Sequence, residues 1–315
     1  MLNPFALSTP IPWGSPFFFV LWYPSSETQM ADTESFYRGK SVLITGASSG
    51  IGEELALQLA RAGAKLTLTA RRKEQLETLA QKIASEGHET PLVVPCDVSL
   101  DGEIERAVSE PVRHHGKLDV VFANAGFGVV GPFRKLSLAD YRRQFETNVF
   151  GVLRTVYAAL PELEKSRGSL AIVGSVSGWV ATPGGSPYSM SKFAVRAFAN
   201  SITPELRRVG IKVTLISPGF VVSNIRRVDN QGALHASAPD PVPVWIQMPT
   251  SKAVRQILRA VAHGRREAII TSHGKLFVAL ERFFPWFMRL GHRRMTRAYD
   301  SRSALASGGP AKSPS

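Results

Sequence analysis

The stretch that decides the fold is Ser41-Val42-Leu43-Ile44-Thr45-Gly46-Ala47-Ser48-Ser49-Gly50-Ile51-Gly52. A short β-branched run ends in three glycines within seven residues, and an apolar helical pattern begins at once. Glycine lets the backbone turn sharply and come close to an anion without a Cβ in the way. The free N–H groups and dipole at the start of the following helix favour negative charge. Strand, glycine loop and helix in that order are the context a phosphate-binding loop requires. Its spacing is Gly-x-x-x-Gly-x-Gly rather than Gly-x-Gly-x-x-Gly.

Outward from this unit the same rhythm repeats. Leu55, Ala56, Leu59 and Ala60 share one helix face that Gly63 closes. Lys65 to Thr69 reads as a second strand, and Lys73 to Ser85 as a helix with Leu76, Leu79, Ala80 and Ile83 inward and Gly87 as its stop. Further strands are expected at Leu92–Pro95, Val120–Ala123, Leu170–Val173, Val213–Ile216 and Ala268–Ile270, with one long helix from Asp140 to Leu160. Alternating strands and helices mean a parallel sheet with helices on both faces: seven strands in a single doubly wound α/β domain.

The chain has 315 residues, 44% hydrophobic and 20% charged, which suits such a globular domain. A single cysteine, Cys96, excludes a disulfide framework, and seven scattered His lack metal-ligand spacing, so no metal site is expected. A reducing, cytoplasmic location is the default. The net charge of +13 suits an anionic partner such as phosphate or a lipid surface; no nucleic-acid-binding module is present.

The ends stand apart. The first 37 residues hold no Lys or Arg, and the apolar run Ile11–Tyr23 is broken by Pro12, Gly14 and Pro16. It lacks a signal peptide's basic start and is shorter than the ~20 residues of a membrane span. Residues 1–37 are therefore read as a disordered extension or a misassigned start, the favoured native start being Met30. The domain is expected to run over 38–274, with an irregular lid-like insertion at about 223–250. Residues 275–315 form an apolar, then basic extension ending in a disordered Ser/Gly/Pro-rich stretch. Aromatic and basic residues over 275–297 suit peripheral contact with an anionic bilayer, although covering the substrate mouth or a partner subunit is equally open.

Tyr188 and Lys192, four apart, share a helix face downstream of Ser175. An ammonium beside a phenol is expected to favour the phenolate, lowering the Tyr pKa from ~10 and tuning it for proton transfer to or from a carbonyl or alcohol oxygen. Ser177 and Ser186 are further hydroxyls that spacing does not dismiss.

These residues together resemble the short-chain dehydrogenase/reductase superfamily. The matches are Thr45-Gly46-x-x-x-Gly50-x-Gly52, Asn124-Ala125-Gly126, Asn148, Ser175, Tyr188-x-x-x-Lys192 and Pro218-Gly219, in the family's order across roughly Lys40 to Thr271. The resemblance implies a Rossmann domain and hydride transfer between a nicotinamide cofactor and a carbonyl or secondary alcohol. It makes Tyr188 the general acid/base, Ser175 the residue that fixes the substrate oxygen, Lys192 the holder of the nicotinamide ribose, and Asn148 part of a proton path. The cofactor set it implies is Gly46, Ser48, Ser49, Gly50, Ile51, Gly52, Asp97 and Val98 near adenine, Asn124, Ala125, Gly126, Tyr188, Lys192, Pro218, Gly219, Val221 and Ser223. Ser223 stands where the family often has Thr.

Ala70 occupies the position of the acid that would bind the adenosine ribose and mark NAD, and Arg71 and Arg72 follow. Guanidinium forks match a phosphate dianion, so NADP is expected, with Arg71 favoured for the 2′-phosphate. The candidate pocket walls Gly128, Val129, Val130, Phe133, Trp179, Val180 and Pro183, with the lid from Ile225 to Met248, are mostly apolar and suggest a lipophilic substrate, and the family suggests a homodimer or homotetramer. The alternatives are a 3-oxoacyl-thioester reductase of lipid synthesis and a non-catalytic NADP-binding regulator.

Overall fold

The computed structural model describes residues 26–227, 230, 240 and 242–291. Helix α1 (Ser26–Tyr37) leads into β1 (Ser41–Thr45), followed by α2 (Gly50–Arg61), β2 (Lys65–Ala70), α3 (Lys73–Ser85), β3 (Leu92–Pro95), α4 (Glu103–His115) and β4 (Val120–Ala123). The second half runs through α5 (Leu138–Phe145), α6 (Gly151–Ser166), β5 (Ser169–Val173), α7 (Ser186–Arg208), β6 (Lys212–Ser217), α8 (Thr250–Ala262), β7 (Glu267–Ile269) and α9 (Ser272–Phe283).

The strands form one seven-stranded parallel sheet in the order β3-β2-β1-β4-β5-β6-β7. Strand β1 shows why it must be covered twice. Val42 and Ile44 join the core under α1, α2, α3 and α8, while Leu43 joins the core under α4, α6 and α7. Alternate residues of one strand face opposite sides, so a run apolar at every position needs helices on both faces. The strand order reverses between β1 and β4, and a crevice opens there at their carboxyl ends. The Thr45 hydroxyl closes its floor by accepting the N–H groups of Asn124 and Ala125, each at 3.0 Å.

Three expectations need revision. The long helix over 140–160 is two helices joined by a π-helical segment at Glu146–Phe150. The break coincides with Asn148, whose side-chain amide turns away to bond the Phe127 backbone. The domain does not begin at residue 38: Tyr37 is fully buried and its hydroxyl donates to the Leu258 carbonyl of α8 at 2.9 Å. Nor does it end at 274, because α9 continues to Phe283 and buries Val278.

The insertion at 223–250 is irregular where it is described, with short 3₁₀ turns at Asn224–Arg227 and Val244–Ile246. An Arg226–Asp240 ion pair at 2.7 Å ties it together. Residues 1–25 and the tail beyond 291 lie outside the described residues. No helix among the described residues is long and apolar enough to cross a membrane.

Candidate active site

The Ser175-Val176-Ser177-Gly178 turn leaves β5 and presses on α7. A Cβ at Gly178 would lie 2.6 Å from the Lys192 carbonyl oxygen, so this contact requires glycine. The pairing seats Ser175 against the phenol of Tyr188 and brings both beside Lys192. The turn holds its own shape, since the Ser175 hydroxyl oxygen accepts the Ser177 N–H at 3.0 Å. Ser186 is committed elsewhere, paired with the Tyr141 hydroxyl at 2.6 Å.

Lys192 is buried, and its Nζ donates to the Val173 carbonyl at 2.9 Å while lying 5.8 Å from the centre of the Tyr188 ring. Burial lowers its ammonium to a pKa of about 8. The half-buried Tyr188 phenol moves opposite to the expected direction. Burial raises it, against smaller downward pulls from the Ser175 hydrogen bond and the Arg226 charge. Withdrawal from water penalises a phenolate and an ammonium alike, and here that penalty exceeds the pull of neighbouring charge.

Asn148 is fully buried and spent on backbone. Its Oδ1 accepts from Phe127 N at 3.1 Å, and its Nδ2 donates to Phe127 O and to the Ser191 hydroxyl. One turn earlier, Gln144 does the same for the next link. Its Oε1 accepts from Val129 N at 2.6 Å and its Nε2 donates to Phe127 O at 2.9 Å. Between them these amides hold Phe127-Gly128-Val129, where a Cβ at Gly128 would lie 3.6 Å from the Tyr188 ring. Gln144 belongs to no motif; only its place four residues before Asn148 could have pointed to it.

The glycine loop fits an anionic cofactor. Gly46 holds φ +68°, a left-handed conformation favouring glycine, and no side chain caps the N-terminus of α2. The first N–H groups of that helix are thus left for a ligand. Arg72 reaches back to the hydroxyls of Ser48 (2.9 Å) and Ser49 (3.1 Å). Arg71 lines a cleft of about 280 Å³ with Ser99, Phe127, Arg142, Arg143, Glu146 and Thr147. Ile51 and Gly52 lie in the first turn of α2.

Asp97 accepts from both the N–H and the hydroxyl of Ser99, and Val98 beside it is buried. Asn124 bonds the Thr45 and Gly46 carbonyls; Ala125 and Gly126 continue the same edge, where a Cβ at Gly126 would lie 3.8 Å from Lys192 Nζ. Pro218, Gly219 and Val221 form the turn after β6, joined to the catalytic-side turn by the Val176 N–H to Pro218 O bond at 2.9 Å. Ser223 sits across from Gly50, where a Cβ would come within 3.2 Å of its own.

Comparison with known proteins agrees with this arrangement. Residues 40–233 match the family described as short chain dehydrogenase. The chain is 33% identical over 258 residues to a dehydrogenase/reductase SDR family protein 7-like of Dictyostelium discoideum, covering 80% of each. It is 35% identical over 243 residues to 11-beta-hydroxysteroid dehydrogenase-like 4A of Arabidopsis thaliana, covering 76% of each.

Among solved structures it resembles a short chain dehydrogenase/reductase from Burkholderia phymatum in complex with NAD. That match has a TM-score of 0.70 and 23% identity, over 78% of this chain and 94% of that one. It also resembles an alcohol dehydrogenase from Thermococcus sibiricus complexed with 5-hydroxy-NADP, with a TM-score of 0.63 and 27% identity over 73% and 95%. On the family model and these relatives, this chain belongs to the short-chain dehydrogenase/reductase family, NAD(P)-dependent oxidoreductases acting on CH–OH groups.

Proposed function

We propose that the protein is an NADP(H)-dependent oxidoreductase interconverting a carbonyl and a secondary alcohol on a lipophilic small molecule. The observation that carries this reading is the convergence of Ser175, Tyr188 and Lys192 in a fold whose α2 N-terminus no side chain caps, with Ala70 ending β2 and two arginines directly after it.

A bound nicotinamide supplies or accepts the hydride at the substrate carbon. Tyr188, kept protonated by burial, is suited to give its proton to the oxygen of a carbonyl being reduced. The Ser175 hydroxyl, in reach of the same phenol, donates to that oxygen and fixes the carbonyl for transfer. Lys192 keeps its charge below a pH of about 8 and offsets the phenolate left behind. It also has donors beyond the one given to Val173 for the ribose hydroxyls. Asn148 keeps the Phe127 backbone and the π segment in place beside the site, its part in the proton path.

Gly46, Ser48, Ser49, Gly50, Ile51 and Gly52 would hold the phosphates of the cofactor, Asp97 and Val98 its adenine, and Arg71, with Arg72 beside it, its 2′-phosphate. Asn124, Ala125, Gly126, Pro218, Gly219, Val221 and Ser223 would hold its nicotinamide end. The relative named as a hydroxysteroid dehydrogenase supports a lipophilic substrate. Exposed Phe150 at the end of the π segment and Tyr157 on α6, with Met190 and Phe193 on α7, support a homodimer or homotetramer. Exposed Phe283, Phe284, Trp286 and Phe287 near Arg282 and Arg289 support peripheral membrane contact from the cytoplasmic side.

Oxidation of NADPH and NADH against aldehydes, steroids, retinoids and acyl thioesters tests the reading. The expected result is turnover preferring NADPH, with Tyr188→Phe still binding NADPH but inactive. Equal use of both cofactors refutes the arginine assignment, and an inert wild type across the panel refutes catalysis.

A further inference from the structure

Helix α9 lies after the last strand, outside every motif of the family resemblance, yet its first turn is wedged into the reactive end of the molecule. The N-cap Thr271 accepts the Gly274 N–H at 3.1 Å, and Gly274 is packed so tightly that a Cβ there would lie 2.7 Å from Val176 of the Ser175 turn. On its other side, a Cβ at Gly219 would lie 2.7 Å from Nε2 of His273. That nitrogen accepts the backbone N–H of Phe220 at 2.9 Å, and the imidazole stacks on the Phe220 ring with centroids 5.4 Å apart. Phe277, one turn on, closes over the imidazole edge-on at 6.2 Å.

We infer that His273 is a positioning residue of the cofactor site: as a neutral imidazole it pins the Pro218–Val221 turn to α9. This rests on the reading, proposed above, that the turn lies along the nicotinamide. An N–H donor needs an unprotonated nitrogen, so the bonded state carries its proton on Nδ1. Burial and the positive end of the α9 dipole both favour that neutral form. The ring is faced by Phe220, Phe277 and Gly219, none of which titrates. Lys275, two residues on, is exposed. Protonation turns Nε2 into a donor facing a donor, and the latch opens.

The test uses full-length wild type, His273→Gln and His273→Phe, with NADP as titrant. Gln places an oxygen acceptor near the position of Nε2 and does not titrate; Phe keeps the stack and has no acceptor. NADP binding is measured by calorimetry from pH 5 to 8, alongside amide hydrogen exchange of the peptide holding Phe220. Wild type is expected to lose about fivefold in affinity between pH 7 and pH 5 beyond any loss in His273→Gln, the size of one backbone hydrogen bond. Relative to an unstructured peptide at the same pH, the Phe220 amide loses protection over the same range. His273→Phe is expected to bind weakly at every pH with a fast Phe220 amide, and His273→Gln tightly with a slow one. Titration of the cofactor's own 2′-phosphate is common to all three proteins and cancels. Identical pH profiles in wild type and His273→Gln overturn the inference, as does a slow Phe220 amide in His273→Phe. If His273→Phe does not fold, wild type against His273→Gln still decides. A wild type that binds no NADP at any pH refutes the cofactor reading instead, and the exchange data then judge the latch separately.

Discussion

Lys192 is charged at neutral pH only at a cost. Its fall from an ordinary 10.5 to about 8 corresponds to up to about 3 kcal/mol spent on keeping an ammonium out of water. Between those two values the unfolded chain binds the extra proton and the folded chain does not, so stability rises with pH across that window. The wild type should therefore gain on Lys192→Met by up to about 3 kcal/mol between pH 8 and pH 10.5, read by urea unfolding at each pH. Reductive kcat/KM should move the other way, falling as pH rises through about 8, with Lys192→Met inactive throughout. The positions of Ser175, Tyr188 and Lys192 were legible because two of them lie one helical turn apart. The upward shift of Tyr188 was not, because it depends on how much water the folded site excludes, and residue spacing carries no record of that.

At the scale of elements, α5 and the π segment after it present two amides. The Ser137–Asp140 capping box starts α5, and Gln144 in its last turn and Asn148 in the π segment bind the backbone of residues 127–129. Gln144→Leu leaves the Val129 N–H buried without a partner, while the Phe127 carbonyl retains Asn148. Chemical denaturation should register a loss of about 1–3 kcal/mol. Because Gly128 lies alongside the Tyr188 ring, with room for one methyl group between them, kcat/KM should fall with it; unchanged kinetics would mean the loop is held by other contacts. The strands were readable almost to the residue, since a strand buried on both faces is apolar at consecutive positions. The break between α5 and α6 was hidden, because one additional residue in a turn barely disturbs a 3.6-residue pattern.

Across the whole molecule, both ends of the described chain are structural. Helix α1 rests on α8 through Tyr37, with Lys40 lying 4.8 Å from the centre of the neighbouring Phe36 ring. The apolar residues of its stretch follow no clean period, so the sequence alone read it as an extension. Tyr37→Phe deletes a buried hydroxyl bonded to Leu258 and should cost about 1 kcal/mol in thermal or urea unfolding. Truncation to Arg38 should cost more, since it also uncovers α8.

The π segment at 146–150 also sets a phase. Each residue of an ordinary helix advances the winding by about 100°, so one surplus residue turns everything beyond it by that angle. Upstream, the buried position of the last turn is Gln144, aimed at a loop; downstream, Val152, Val156, Ala159 and Leu163 are aimed at the sheet. Excising a single residue between them would straighten the rod and swing one of these two faces off its target. The family's asparagine thus stands at a clutch between two rotational settings of one helix.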